Sequence, residues 1–451
     1  MKRQTHLRKQ NPHPHPPREH MRMTGTRSTL FLLAGLFLLV SAVCRPPVRQ
    51  QELRVLISAR NMLETQNPFR PEFQNQPRYR KPPLPYWMAA LPMTLGLPPH
   101  VPLTGRLLFL ATSLLTLWLT ARMAGKAGDW AAFLLILSYG FWRFAGLAET
   151  DIPNLLGLVL AFWGWKTHRP AFSAGGMILA ALSKGPAGIA IPLISFVFLQ
   201  KNNPHSRSFW LKACIPAFIA GLSWVAFLWL DPQAQRALQH EIRDTFFHSA
   251  HARHPFYYFL TLPLLFLPSL LLLLRVRLSR NCFQHLPRIP MVWFLTTFAL
   301  LTLTVSKQNH YALMLMPPAA WLVGDILSRH TLRIPIRSAV ILLSIALLAE
   351  LPRSRVEAHA RNARFLNETR PLVQNAPILH VVGVNSARFD FHSGRHVDNT
   401  DSAREALGRA APGEHILIVQ RRKHFDADTW PREPESVADD PQWIRRHYAT
   451  P

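Results

Sequence analysis

Tyr258-Phe259-Leu260-Thr261-Leu262-Pro263-Leu264-Leu265-Phe266-Leu267-Pro268-Ser269-Leu270-Leu271-Leu272-Leu273-Leu274 contains no charged side chain, and Arg275 ends it abruptly. Such a run has no polar face to turn toward water, so it belongs in a hydrocarbon layer, which takes about 18 to 20 apolar residues to cross. The same reading holds for Ser28–Cys44 and Arg106–Thr120 and repeats along the chain. About eleven spans are expected, at 28–44, 104–123, 129–146, 151–166, 170–184, 186–200, 209–230, 257–275, 290–305, 310–328 and 334–351. The fold class expected is therefore an all-α polytopic membrane protein with a small C-terminal α/β extramembrane lobe. Of the 451 residues 49% are hydrophobic and 17% charged, which excludes a soluble globular chain.

The charge is lopsided, with 51 Lys plus Arg against 25 Asp plus Glu, and 21 His besides. Its distribution decides what that means. The basic residues gather between alternate apolar runs: Arg122 and Lys126; Lys166 and Arg169; Lys201, Arg207 and Lys212; Arg275, Arg277, Arg280 and Arg288; Arg329, Arg333 and Arg337. The opposite short loops, Leu147–Asp151 and Ser306–His310, contain only Lys307. This is the positive-inside pattern, with membrane lipids and phosphates as partners and no nucleic acid. It puts the N-terminus in the cytoplasm and the C-terminus outside it, in the periplasm of a bacterial inner membrane. Three domains follow: a disordered basic leader at 1–27, a transmembrane body at 28–351 with an external loop at 45–103, and a periplasmic lobe at 352–451. In the lobe, Ile378–Val384 and His415–Val419 are strand candidates, and Ser402-Ala403-Arg404-Glu405 starts a helix between them as a capping box. The cysteines Cys44, Cys214 and Cys282 show neither metal spacing nor a disulfide framework.

Several groups on the external side carry chemistry. Gln51–Glu64 places apolar residues at 53, 56, 59/60 and 63, as a helix lying on a bilayer surface does. Arg78-Tyr79-Arg80-Lys81-Pro82-Pro83-Leu84-Pro85-Tyr86-Trp87 is cationic and aromatic; it reads equally as an interfacial anchor or as part of a site. Glu149-Thr150-Asp151 puts two acids at a helix mouth, where Asp151 also suits simple capping. Ser183-Lys184-Gly185-Pro186 brings an ammonium to the interface, by function or by snorkelling. Ser306-Lys307-Gln308-Asn309-His310-Tyr311 is a polar cluster between two apolar runs. His248, His251 and His254 step by three, but the first and third are out of phase on a helix, which weakens a metal reading. Cations, acids and rings on one side of a helical bundle suit an anionic lipid-linked substrate.

These motifs, in this order, resemble the multi-pass glycosyltransferases of the GT-C class, family thirty-nine. That family includes protein O-mannosyltransferases and the aminoarabinose transferases that modify lipid A. Its Asp-Glu-x-Arg appears as Gln51-Glu52-Leu53-Arg54, and its Arg-x-Met-Leu as Arg60-Asn61-Met62-Leu63. Its Lys-Pro-Pro-Leu followed by Tyr-Trp appears as Lys81-Pro82-Pro83-Leu84 with Tyr86-Trp87. Thr150-Asp151-Ile152-Pro153, Lys184-Gly185-Pro186 and Lys307 to Tyr311 complete the set.

The resemblance implies inverting transfer of a sugar from a polyprenyl phosphate to an acceptor hydroxyl on lipid A, protein or glycan, at the outer face. A carboxylate takes the acceptor proton, and cations stabilise the departing phosphate. Arg54, Lys81, Lys184 and Lys307 are the implied cations, with Tyr311, Tyr258 and Glu149 also expected to touch substrate. The family's presumed base is Gln51 here, and an amide does not accept a proton near neutral pH. Either Glu52 or Asp151 has taken its place, or the enzyme is impaired. Arg80 replaces an acid suggested as a metal ligand in some members, which puts that ligand in doubt; a divalent metal stays open but is not indicated, and no cofactor is certain. Two rival readings remain: a lipid-linked-sugar binding homologue without catalysis, and a transporter or flippase of lipid-linked intermediates. The concentration of charge at helix ends and the lack of an internal repeat weigh against the transporter.

Overall fold

The computed structural model describes residues 19–45, 50–73, 76–201, 205–246, 252–267, 269–276 and 280–330. Shorter pieces follow at 340–341, 344–345, 378–382, 390–391, 397–400, 415–421, 436–439 and 443–449. The chain is mostly helical. The helices are α1 (Glu19–Cys44), α2 (Gln50–Glu64), α3 (Leu84–Thr94), α4 (Pro102–Ala124), α5 (Gly128–Leu137), α6 (Tyr139–Phe144), α7 (Asp151–Lys166), α8 (Pro170–Lys184), α9 (Ala187–Gln200), α10 (Arg207–Trp229), α11 (Pro232–Phe246), α12 (Tyr257–Leu265), α13 (Arg280–Gln284), α14 (Arg288–Leu303) and α15 (Met316–Ser328).

Three helical stretches among the described residues, Pro102–Leu137, Arg207–Trp229 and Asn309–Ser328, are long and apolar enough to cross a membrane. Thr29–Cys44, Ala187–Gln200 and Arg288–Leu303 are shorter apolar helices. Eleven spans are not shown among the described residues, and some of the expected helices differ from expectation in local ways. The expected helix 257–275 ends as an α-helix at Leu265 and resumes as a 3-10 segment at Ser269–Arg275. Pro263 lies inside α12 without ending it, and Pro268, which stands in the sequence between the two segments, has no amide to donate. The expected helix 129–146 divides at Ser138, whose backbone is extended, giving α5 and α6. At the N-terminus helix begins at Glu19, inside the stretch expected to be a leader, because no Pro or Gly breaker lies between Glu19 and Thr24. The expected helix at 334–351 lies largely outside the described residues.

The body packs around α7 and α8, which run antiparallel with very small residues between them. A methyl added at Gly157 would stand 2.5 Å from the Ala180 amide nitrogen, and one at Gly176 would stand 2.4 Å from that of Ala161. Gly164 and Gly188 are equally tight, the latter bringing α9 onto α8. Where lipid surrounds the bundle, burial of apolar area does not drive helix pairing, and close backbone approach at small residues replaces it. Aromatic layers fill the wider gaps: Phe162 stacks on Trp293 at 4.3 Å, and Trp165 on Phe196 at 4.3 Å.

Two small sheets complete the chain. β1 (Glu72–Phe73) and β2 (Gln76–Pro77) pair antiparallel in the first loop. In the tail, β3 (Ile378–Val382), β4 (Asp398–Thr400), β5 (His415–Arg421), β6 (Ser436–Asp439) and β7 (Trp443–Ala449) form a mixed sheet of order β4-β3-β5-β7-β6. Both expected strands are present, as parallel neighbours with Ile378 opposite Ile416. The helix expected from Ser402 lies outside the described residues. Asp390 and Phe391 reach back to the first loop: Phe391 is buried among Leu53, Ile57 and Tyr86, and Arg60 donates to the Asp390 carbonyl at 2.8 Å and to its carboxylate.

Candidate functional site

Asp151 opens α7 and Lys184 closes α8, so the antiparallel pair brings them to the same end of the bundle. Gly185 permits this ending: it follows α8 with φ +103°, and its amide donates to the Ala181 carbonyl at 2.8 Å. Lys184 Nζ forms an ion pair with the Asp151 carboxylate and lies 4.2 Å from the centre of the Tyr311 ring. Asp151 is 4% exposed and Glu149 2%. Lys81 and His310 are within electrostatic reach of Asp151, while Lys81 and Glu149 are within reach of Lys184. Six residues from four distant parts of the sequence therefore meet: Lys81, Glu149, Asp151, Lys184, His310 and Tyr311. All except His310 were singled out from the sequence.

Arg54 projects from α2 toward the loop that precedes α3. Burial first, and then the positive fields of Arg78 and Arg80, push its guanidinium below the ordinary arginine value. Three arginines within mutual reach repel one another, a cost that an anion between them would reverse. Arg54 also lies 5.9 Å from the Phe73 ring.

Gln51 and Glu52 diverge, as neighbours about 100° apart on a helix must. Gln51 is exposed, whereas Glu52 is 1% exposed. Both Glu52 oxygens are occupied: Arg106 Nε donates to Oε1 at 2.7 Å and Nη2 to Oε2 at 2.6 Å. The Ala148 amide adds a third bond to Oε1 at 3.2 Å. Arg106, fully buried, spends its remaining donor on the carbonyls of Ala42 at 2.6 Å and Arg45 at 2.5 Å. One ion pair thus joins α1, α2, α4 and the loop that leads to Glu149.

Lys307 is 4% exposed and caps the end of α14 by donating to the Thr304 carbonyl. Burial pushes its ammonium below the ordinary lysine value. Tyr258 is fully buried and its hydroxyl lies 3.3 Å from both the Gln308 amide and carbonyl. Both residues shape the 306–310 loop that presents His310 and Tyr311; neither makes a described contact with the Asp151–Lys184 pair.

Arg106 and Asp390 are not apparent from sequence reading, and Arg60 and His310 stand in motifs read from the sequence without a role of their own. Arg106 sits inside an apolar run where a cation reads as a boundary error, although a lone charge in such a run is itself a signal that it has a partner. A further tie is Tyr79, whose hydroxyl donates to Asp231 Oδ2 at 2.8 Å; burial and that hydrogen bond push it up to about 12. Among the described residues no three His, Cys, Asp or Glu side chains converge as a metal site, and His248 and His251 lie outside them.

No protein-family model matches the chain. An uncharacterized protein of Aquifex aeolicus (strain VF5) is 25% identical over 321 residues, which make up 66% of this chain and 63% of that protein. The match thus spans just under two thirds of that relative's length. Among solved structures, ArnT from Cupriavidus metallidurans bound to undecaprenyl phosphate superposes with a TM-score of 0.72 at 15% identity, covering 94% of this chain and 98% of that one. The apo state of the same protein gives 0.70 over the same shares. At that identity the likeness is one of fold: the chain has the architecture of ArnT from Cupriavidus metallidurans.

Proposed function

We propose that the protein transfers a glycosyl group from a polyprenyl-phosphate-linked sugar to a hydroxyl acceptor at the external membrane surface, with inversion. The observation that carries this reading is the buried Asp151 carboxylate, paired with Lys184 and within electrostatic reach of Lys81 and His310, together with a second group of cations at Arg54, Arg78 and Arg80. In the step proposed, the acceptor oxygen forms its bond to the anomeric carbon while the bond from that carbon to the phosphate oxygen breaks. The acceptor proton passes to the Asp151 carboxylate, and the electron pair leaves on the polyprenyl phosphate. The cations oppose the charge that grows on the leaving oxygen. Tyr311, against Lys184, and Glu149, two residues before Asp151, would orient the sugar. Lys307 and Tyr258 would hold the loop that carries Tyr311. Glu52 is assigned to holding α2 in place, because neither of its oxygens is open to a new proton. ArnT of the same fold is bound to undecaprenyl phosphate, which supports a polyprenyl phosphate as donor.

The direct test is incubation of the purified protein with radiolabelled polyprenyl-phosphate sugars and candidate acceptors, with products separated by thin-layer chromatography. Polyprenyl phosphate that binds but gives no product with any donor would favour the non-catalytic binding homologue. Lys81→Ala is expected to weaken polyprenyl phosphate binding by about 1.5–3 kcal/mol, roughly tenfold to a hundredfold, if it makes a charge-assisted contact. Lys307→Ala should have the smaller effect on binding and the larger one on stability. Equal affinities for wild type and Lys81→Ala in a direct binding assay would remove Lys81 from the site.

The location proposed is a bacterial inner membrane with the N-terminus cytoplasmic. The domain division proposed is a body at 28–351 and a periplasmic lobe at 352–451. Alkaline phosphatase, active only outside the cytoplasm, should be active when fused after Val381. An inactive fusion there would invert the topology.

A further inference from the structure

At the end of α7 opposite Asp151, a cavity of about 490 Å³ opens between the end of α4 and the α7–α8 turn. It is lined by Arg122, Gly125, Trp163, Thr167 and Arg169, with no acid among them. Arg122 lies 5.6 Å from the Trp118 ring centre and Arg169 5.8 Å from that of Phe172. Trp118 meets Trp163 edge-on at 6.0 Å, and Trp163 stacks on Phe172 at 5.4 Å. One aromatic wall therefore joins the two guanidiniums. A ring face engages the plane of a guanidinium and leaves its edge donors available to oxygen. Neither arginine has a carboxylate partner among the described residues.

The ends of α4 and α7 work against an anion here, since each helix C-terminus carries roughly half a negative charge. Lys166, which donates to the Met123 carbonyl, offsets that of α4. With Lys166, Arg122 and Arg169 the local balance is still positive. The surroundings say which anion. Leu115, Trp118 and Arg122 share one face of α4, and Leu115 and Trp118 are 44% and 39% exposed. An apolar side chain, then an indole, then a cation along one exposed face matches acyl chain, interface and headgroup in turn.

We infer that this cavity binds the phosphate of an anionic membrane phospholipid, its chains lying along the exposed face of α4. The site is separate from the proposed transfer site, and it holds whether or not the protein is a transferase. Basic pockets between membrane helices take such headgroups, and two cations at the surface are worth about thirtyfold in affinity.

The test is native mass spectrometry of the full chain in neutral detergent, titrated separately with phosphatidylglycerol, phosphatidylcholine and inorganic phosphate. Wild type should bind one phosphatidylglycerol about thirtyfold more tightly than phosphatidylcholine. The double variant Arg122→Gln, Arg169→Gln should lose that preference, whereas Arg122→Lys, Arg169→Lys should keep most of it, showing that the site and the fold survive substitution. Lys126→Gln, an exposed neighbour that does not line the cavity, should match wild type. A preference that persists in the glutamine double variant would overturn the inference. So would equal loss in Lys126→Gln, which would mean diffuse surface charge. Displacement of the lipid by equimolar inorganic phosphate would identify a free-anion site instead and overturn the lipid assignment.

Discussion

Arg106→Met is expected to destabilise the protein by about 3–5 kcal/mol, because it leaves the Glu52 carboxylate buried without its countercharge. The double variant Glu52→Leu, Arg106→Met should recover much of that loss, since replacing both ions with apolar groups removes the desolvation cost along with the attraction. Chemical denaturation in detergent micelles, followed by tryptophan fluorescence, would measure both. The pattern also separates two roles for Glu52. If it holds α2, Glu52→Gln loses stability and the double variant folds. A Glu52→Gln protein as stable as wild type but without transfer would instead make Glu52 the base, and the bidentate pair with Arg106 would be incidental.

Asp151→Asn is expected to lower transfer by roughly 10²–10⁴, the usual range for loss of a general base. Asparagine keeps the size of the side chain but neither accepts a proton nor balances Lys184, so the comparison with Lys184→Met, Asp151→Asn matters. If the double variant is as slow as the single one, the loss lies in the proton acceptor and not in an orphaned ammonium. Gln51→Asp should raise transfer about tenfold, the low end of what such a base supplies. Gln51 is exposed near the start of α2, where a carboxylate is also favoured by the helix dipole. Single-turnover rates with a polyprenyl-phosphate sugar would report both changes. A wild type and a Gln51→Asp variant that are both inert with every donor would leave a binding protein on a transferase fold.

Apolar runs were enough to read a mostly helical body, and the tail's two central strands were visible as short apolar runs. The breaks within the expected helices were not readable in the same way. Runs such as 257–275 look continuous by composition, yet the α-helix ends at Leu265 and a 3-10 segment stands at Ser269–Arg275, and hydropathy is blind to such a change of backbone. Within the site, Lys81, Glu149, Asp151, Lys184 and Tyr311 were legible because polar residues at the ends of apolar runs stand out. The Glu52–Arg106 pair was not, since its partners are 54 positions apart and each has a bland explanation alone. Arg60 and Asp390, 330 positions apart, are a stronger case: only the folded chain shows that the tail holds α2.

The glycine-lined pair α7 and α8 has a consequence for access to its own end. At 16 and 15 residues these helices are about 24 Å and 23 Å long, several ångströms short of a hydrocarbon core of about 30 Å. Their backbones are too close for either to slide or to tilt apart from the other, and α7 is buried inside the bundle along most of its length, so the shortfall falls on the protein around it and not on lipid. In the topology proposed, with Lys166 and Arg169 at one surface, the Asp151–Lys184 end is expected to lie below the other, at the bottom of a recess. A lipid-borne phosphate would then descend along protein to reach those residues, without carrying a bare charge through open hydrocarbon.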